Sequence, residues 1–160
     1  MLIGIMTDSH ENMDKIRLAV KVFNSMKIKH LYHCGDIISP ITFKEFKELN
    51  CNIDFVFGNN DGERIMLIEK FKGKGTFHQY TFEFEIDGKK IIMMHEPLNL
   101  EELIKSNKYD CILYGHTHKQ DIREGRPMVI NVGETGAWIS GKSTIGVLDA
   151  NSMKFDIIEL

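Results

Sequence analysis

Two histidines at alternate positions, His116 and His118, follow Gly115 and the apolar run Cys111-Ile112-Leu113-Tyr114. In extended chain, residues i and i+2 share a side, so both imidazoles are expected to face one cavity. Neutral imidazole is the commonest metal ligand, and a glycine just ahead of it lets the backbone turn tightly. A His-x-His pair alone is weak, since two satisfied surface histidines are the better reading of it in isolation. Its weight comes from what else the chain supplies. Asp8 with His10, Asp36, Asn59 and His95 also stand where short apolar runs end. Each has a plain structural reading as a cap, a turn residue or a strand-end side chain. Together they mark strand ends, and sites in α/β sheets form beyond the carboxyl ends of strands.

The donor types agree with one another. Asp8 and Asp36 offer carboxylates, His10, His95, His116 and His118 offer imidazoles, and Asn59 offers an amide oxygen. That is more than one tetrahedral ion accepts. The set suits two divalent cations of higher coordination that share a carboxylate and a water. Mixed nitrogen and oxygen donors without thiolate point to Mn²⁺, Fe²⁺, Zn²⁺, Ni²⁺ or Co²⁺ rather than calcium. Two such ions, two carboxylates and a hydroxide sum to a charge of about +1, which attracts a phosphate anion.

The elements that must position these groups are legible as apolar runs and periodicities. Leu2 to Met6 reads as a buried strand, and Asn12 caps a helix with Ile16, Ala19, Val20 and Phe23 on one face. His30 to Cys34 is a second strand, Ser39-Pro40 opens a helix through Phe43, Phe46 and Leu49, and Ile53 to Phe57 is a third strand. This is β-α-β-α-β at the spacing of parallel crossover units. Glu63 to Lys72 is expected as a short helix. Thr76 to Ile86, the turn Asp87-Gly88 and Lys89 to Met94 predict a β-hairpin. Asn99 with Glu102 predicts a capping box opening a helix through Leu103 and Ile104. After the strand Cys111 to Tyr114, the segments 119–124, 127–132, 143–148 and 154–160 are expected as an antiparallel meander.

Composition excludes several classes. The 160 residues carry 42% hydrophobic and 27% charged side chains, ordinary for one globular domain over 1–160. A net charge of −3 gives no global basic field, so there is no strong case for long nucleic acid or for a membrane partner. No apolar run approaches a membrane span. Cys34, Cys51 and Cys111 are odd in number and widely spaced, which argues for a reducing, cytoplasmic setting. Cys34, His30, His33 and His78 are expected to be structural, the Lys70 to Lys74 cluster a solvated face, and Trp138 a core cover or oligomer contact.

Asp8-x-His10, Gly35-Asp36, Gly58-Asn59-x-Asp61, His95 and Gly115-His116-x-His118 resemble, in order, the motifs of the calcineurin-like metallophosphoesterases. The short chain, without a cap domain, is most similar to the YfcE-type branch of small bacterial and archaeal phosphodiesterases. The resemblance runs from Asp8 to about Gly133. It implies an α/β (α+β) fold, a β-sandwich of two mixed sheets flanked by α-helices. It implies that Asp8, His10 and His118 bind one metal, that Asn59, His95 and His116 bind the other, and that Asp36 bridges them. Asn59, Asp61 and Asp36 are the residues expected in the catalytic group. The implied activity is hydrolysis of a small phosphodiester through in-line attack by a hydroxide shared between the metals. A homodimer is consistent with the resemblance, without a residue-level argument.

The match departs from the family in a few places. Many members carry histidine where this chain has Asn60, and an amide cannot act as a general acid near neutral pH. The change implies a preference for leaving groups stable as anions. Glu96 stands beside His95 where glycine is common. Glu134, in a turn where the family often has serine, has two readings, a residue that alters the phosphate side of the site and, the favoured one, a solvent-facing turn residue. Two rival functions remain: a binding scaffold of the same fold, as in the small retromer subunit, and a phosphomonoesterase.

Overall fold

Alternation along Leu2–Met6 (β1) sends Ile3 and Ile5 to one face and Gly4 and Met6 to the other, and that split organises the molecule. The computed structural model describes residues 1–160. After β1 the chain runs through Met13–Met26 (α1), His30–His33 (β2), Phe43–Phe46 (α2), Asn52–Val56 (β3), Arg64–Lys70 (α3) and Gly75–His78 (β4). Thr81–Ile86 (β5), Lys89–Met94 (β6), Leu100–Lys105 (α4) and Cys111–Leu113 (β7) follow. Gln120–Arg123 (β8), Met128–Val132 (β9), Thr144–Asp149 (β10) and Lys154–Glu159 (β11) complete it.

Two mixed sheets result, in the orders β11-β10-β1-β2-β3-β4 and β5-β6-β7-β9-β8. In the first, β1 to β4 are parallel and β10 and β11 return antiparallel; in the second, β6, β7 and β9 are parallel between antiparallel edges. Ile3, Ile5 and Val56 meet Met93, Leu113 and Ile130 between the sheets. Burial on this scale is the main favourable term in folding. On the outer face of the first sheet, Met6, Leu31 and Phe55 pack against Ile16, Val20 and Phe23 of α1. The second sheet is covered by α4 through Leu100, Leu103 and Ile104. The expected two-sheet architecture flanked by helices is therefore present, and the carboxyl ends of β1, β2, β3, β6 and β7 carry the candidate ligands.

Several local expectations hold. Asn12 caps α1, its side chain accepting from the Lys15 N–H at 3.3 Å. Asp87 and Gly88, both at positive φ, turn the β5–β6 hairpin. His30 and His78 sit on the strands flanking β3, and each donates to Asp54, at 2.8 and 2.7 Å. Burial raises the Asp54 pKa, but these bonds more than offset it and leave the carboxyl below its usual range.

Others are corrected. Thr76 to Ile86 is not one strand: β4 joins β3 in parallel, the chain bends at Gln79-Tyr80, and β5 begins the second sheet. An alternating pattern reports that a segment is extended, not which sheet it joins. The expected four-strand meander is two separate pairs. β8 and β9 lie in the second sheet, while β10 crosses to pair with β1 and then β11. The helix at Pro40 is a 3₁₀ turn over Pro40–Thr42 followed by the single turn of α2. The capping box does not form: Asn99 takes a left-handed φ of 57° and its side chain caps nothing.

Candidate metal centre

The loops after β1, β2 and β7 are held in unusual backbone geometry. Asp8, His10, Asp36, His116 and His118 all have positive φ, between 42° and 70°. Non-glycine residues adopt this region at a cost, and such strain gathers at functional sites because the surroundings over-determine it. His116 and His118 are thus in a turn rather than in extended chain, yet both still face the one cavity, each toward a different group of donors. His116 turns its Nδ1 to the Asn59 Oδ1 at 2.9 Å, whereas His118 directs its Nε2 to the Asp8 Oδ1 at 3.4 Å.

The side chains form two adjoining groups. In the first, the ligand-type atoms of Asp8, His10 and His118 lie within 4.8 Å of one another, and the His10 and His118 rings stack with centroids 5.0 Å apart. In the second, the Asn59 Oδ1 is 2.8 Å from the His95 Nε2 and 2.9 Å from the His116 Nδ1. Asp36 stands between them, its Oδ2 at 3.5 Å from both the His10 Nε2 and the His95 Nε2. All seven expected ligand residues are brought together. Asp61 is close behind: its carboxylate accepts the backbone N–H groups of Gly58 (2.7 Å), Ile38 (2.7 Å) and Asp36 (3.1 Å). It ties the loop after β2 to the loop after β3.

Hydrogen bonds select the inward-facing atoms. Asp8 Oδ2 accepts from the Thr7 hydroxyl at 2.6 Å and from the His116 N–H at 3.0 Å, which leaves Oδ1 facing the cavity. His95 donates its Nδ1–H to the Cys34 carbonyl at 2.7 Å, so Nε2 keeps its lone pair toward Asn59 and Asp36. His118 Nδ1 faces the Glu134 Oε2 at 2.7 Å, which likewise frees Nε2. Asp8 Oδ1 and His10 Nε2 are buried without a hydrogen-bond partner. Buried polar atoms are nearly always satisfied, so an orphaned carboxylate oxygen beside an orphaned imidazole nitrogen fits a cation bound to both. Burial raises the Asp8 pKa, but His10, Thr7 and the neighbouring histidines outweigh it and hold the carboxyl below its usual range.

Two glycines make the approach possible. A Cβ on Gly115 would overlap the Thr7 hydroxyl and crowd Asp8, and one on Gly58 would overlap the Asp36 carboxylate.

One neighbour, Glu134, is misread in the sequence, and the structure gives Asn60, His33 and Trp138 their partners. Glu134 is fully buried and anchors His118, contrary to the solvent-facing turn residue expected of it. Its other oxygen accepts the N–H groups of Ile139 and Ser140, so a loop that reads as solvent-facing closes around a carboxylate. Asn60 donates its side-chain amide to the Asp36 Oδ2 at 2.7 Å and its backbone N–H to Oδ1 at 2.9 Å. His33, buried beneath the loops, accepts from the Gly35 N–H and donates to the Ser9 hydroxyl. Burial pushes its pKa down to about 3, so it is neutral. No sequence pattern signals Glu134, because its partners are distant or backbone. Trp138 is exposed, with its indole N–H donated to the His10 carbonyl at 3.0 Å.

Carboxylates, imidazoles and an amide at the strand ends of a two-sheet sandwich define a metal-dependent hydrolase class. The chain belongs to the calcineurin-like phosphoesterase superfamily, whose domain matches residues 1–153. It is 39% identical to phosphodiesterase MJ0936 of Methanocaldococcus jannaschii, over 100% of this chain and 99% of that one. A solved structure described as a novel archaeal phosphodiesterase superposes with a TM-score of 0.93 at 39% identity, covering 100% of both chains. The YfcE phosphoesterase of E. coli shares the fold at a TM-score of 0.70 and 16% identity, over 99% of this chain and 98% of that one. No helix is long and apolar enough to cross a membrane.

Proposed function

We propose that this chain is a phosphodiesterase that hydrolyses a small phosphodiester with the aid of two divalent cations. The observation that carries this reading is the orphaned pair Asp8 Oδ1 and His10 Nε2, grouped with the ligand-type atoms of His118, Asp36 and His95. The phosphodiesterase assignment itself draws on the relative with full-length similarity. When bound, the cations acidify a water and take up charge on the phosphoryl oxygens.

The chain's own residues supply the frame. Asp8, His10 and His118 would hold one cation, Asn59, His95 and His116 the other, and Asp36 would join them. Asn59, whose Oδ1 lies between His95 and His116, would act at the second cation. Asp61 acts through the Asp36 and Gly58 backbone and is a positioning residue. Asn60 orients the Asp36 carboxylate and offers no proton to a departing alkoxide. Manganese is the cation we expect from the family resemblance, and nickel, cobalt, iron and zinc also suit this nitrogen and oxygen set. A cytoplasmic setting suits three unpaired cysteines.

The test is hydrolysis of a bis-aryl phosphodiester and of the matching monoester, with Mn²⁺, Ni²⁺, Co²⁺ and Zn²⁺ in turn. Diester hydrolysis that is lost in Asp36→Ala and His95→Ala is expected. Tight metal binding without hydrolysis under any cation would favour a scaffold, and a faster monoester would favour a phosphomonoesterase.

A further inference from the structure

A cavity of about 430 Å³ opens beside Asn59 and His95. It is framed by the Gln79-Tyr80 bend, the start of α3 and the loop before α4. Resting on the phosphodiesterase reading, we propose that this cavity is a subsite for a nucleoside, so that the substrate is a diester with at least one nucleoside arm.

Its volume lies within the ~300–1,000 Å³ typical of small-molecule sites. Its base is apolar, with buried Ile92 and Met94 and half-buried Leu103. Tyr80 and Leu98 line its mouth, 71% and 68% exposed, and so present apolar surface continuous with that base. The Tyr80 phenol accepts the Gln79 amide at 3.2 Å, and the exposure of the side chain leaves its ring available for stacking. An aromatic face of this kind suits a base, because every base presents a π-face.

Polar groups decide between a base and an alkyl chain. Arg64 lies over the Phe57 ring at 4.8 Å and is tethered by the carbonyls of Asp61 and Gly58, at 3.1 and 3.3 Å. Its charge therefore meets an aromatic face and two carbonyls, with no carboxylate to neutralise it. Gln79 and Asn99 line the rim beside it. An acyl chain would strip water from this guanidinium and these amides without replacing its bonds. The ring edge of a nucleobase supplies acceptors and donors at that level. The subsite is continuous with the metal centre, since Asn59 and His95 line both.

The experiment uses two diesters with one leaving group, thymidine 5′-(4-nitrophenyl) phosphate and methyl 4-nitrophenyl phosphate. The intact enzyme is expected to favour the thymidine ester about tenfold in kcat/KM, mostly through KM, as base stacking implies. Tyr80→Ala should cut that preference severalfold, with the larger loss on the thymidine ester. Equal kcat/KM for both esters in the intact enzyme, or an equal loss on both in Tyr80→Ala, would overturn the subsite. Independently of turnover, adenosine is titrated into the metal-free and metal-loaded protein by NMR, with ribose as the control. Shifts at Tyr80, Leu98 and Leu103 with adenosine alone are expected. No shift with adenosine, or the same shifts with ribose, would overturn the proposal. If neither ester is hydrolysed, the phosphodiesterase reading fails and the adenosine titration decides the subsite by itself.

Discussion

The Glu134 Oε2 lies 2.7 Å from the His118 Nδ1, and that contact fixes which imidazole nitrogen faces Asp8. A carboxylate behind a ligating histidine sets its tautomer and makes it more basic. Burial raises the Glu134 pKa, but Ser140, His118 and Ile139 overcome it and keep the group ionised at neutral pH. Glu134→Ala should therefore weaken binding at the Asp8 side by about 10- to 100-fold. Calorimetric titration with Mn²⁺ checks this by resolving the two sites. Unchanged affinity at both would show that Glu134 only braces the 139–140 loop.

Asn60 leads to a prediction about the leaving group. Its amide is spent on Asp36, so departure of a poor leaving group has no acid from this position. The enzyme should hydrolyse aryl diesters much faster than alkyl ones. Asn60→His should raise the alkyl rate relative to the aryl rate by about 100-fold or more, the usual scale of general acid catalysis. The ratio matters here, because losing the bond to Asp36 lowers both rates. An aryl-to-alkyl ratio that stays the same would mean another group already donates the proton.

How much of this could be read in advance differs by the range of the interaction. Asp8, His10, Asp36, Asn59, His95, His116 and His118 were legible because each follows an apolar strand, and strand ends converge in parallel sheets. Asn12 was legible because capping is local. The failures share a cause in long-range choice. The bend at Gln79-Tyr80 splits an unbroken alternating pattern between two sheets, and β10 leaves its expected neighbour for β1. Glu134 looked like a turn residue because its partner His118 is 16 positions away. The left-handed turns at His116 and His118 were invisible, since Gly115 signals tightness without saying which way the next residues wind.

His33 gives a pH dependence of stability. Its pKa is about 3 in the folded state because burial disfavours the cation, against about 6.5 in an unfolded chain. Between these values the unfolded chain takes up a proton that the folded one refuses. The stability this neutral histidine preserves is complete above pH 6.5 and is lost as pH falls from there toward 3, by at most about 1.4 kcal/mol per pH unit. Urea unfolding of metal-free protein at a series of pH values measures the slope, and His33→Asn should be flatter between pH 6.5 and 5. Parallel curves for the two proteins would place the proton uptake on other groups.

Gly115 brings the argument back to close packing. A side chain there would overlap the Thr7 hydroxyl, lie 2.8 Å from the Asp8 Oδ2 and 3.0 Å from the Cys34 carbonyl. Those atoms belong to backbone or to groups already locked by hydrogen bonds, so none can swing aside. The Thr7–Asp8 bond and the His116 N–H bond to Asp8 would both be strained at once. Overpacking at a site of this kind costs about 1–3 kcal/mol. Gly115→Ala should lower the thermal midpoint of the metal-free protein and also weaken metal binding, because the displaced group is Asp8. Gly62→Ala is the matched control, since nothing lies within 4 Å of a Cβ there. It should leave stability within about 0.5 kcal/mol, or raise it by restricting the unfolded chain. Loss of stability in Gly115→Ala with metal affinity intact would separate the two effects and show that the turn carries packing alone.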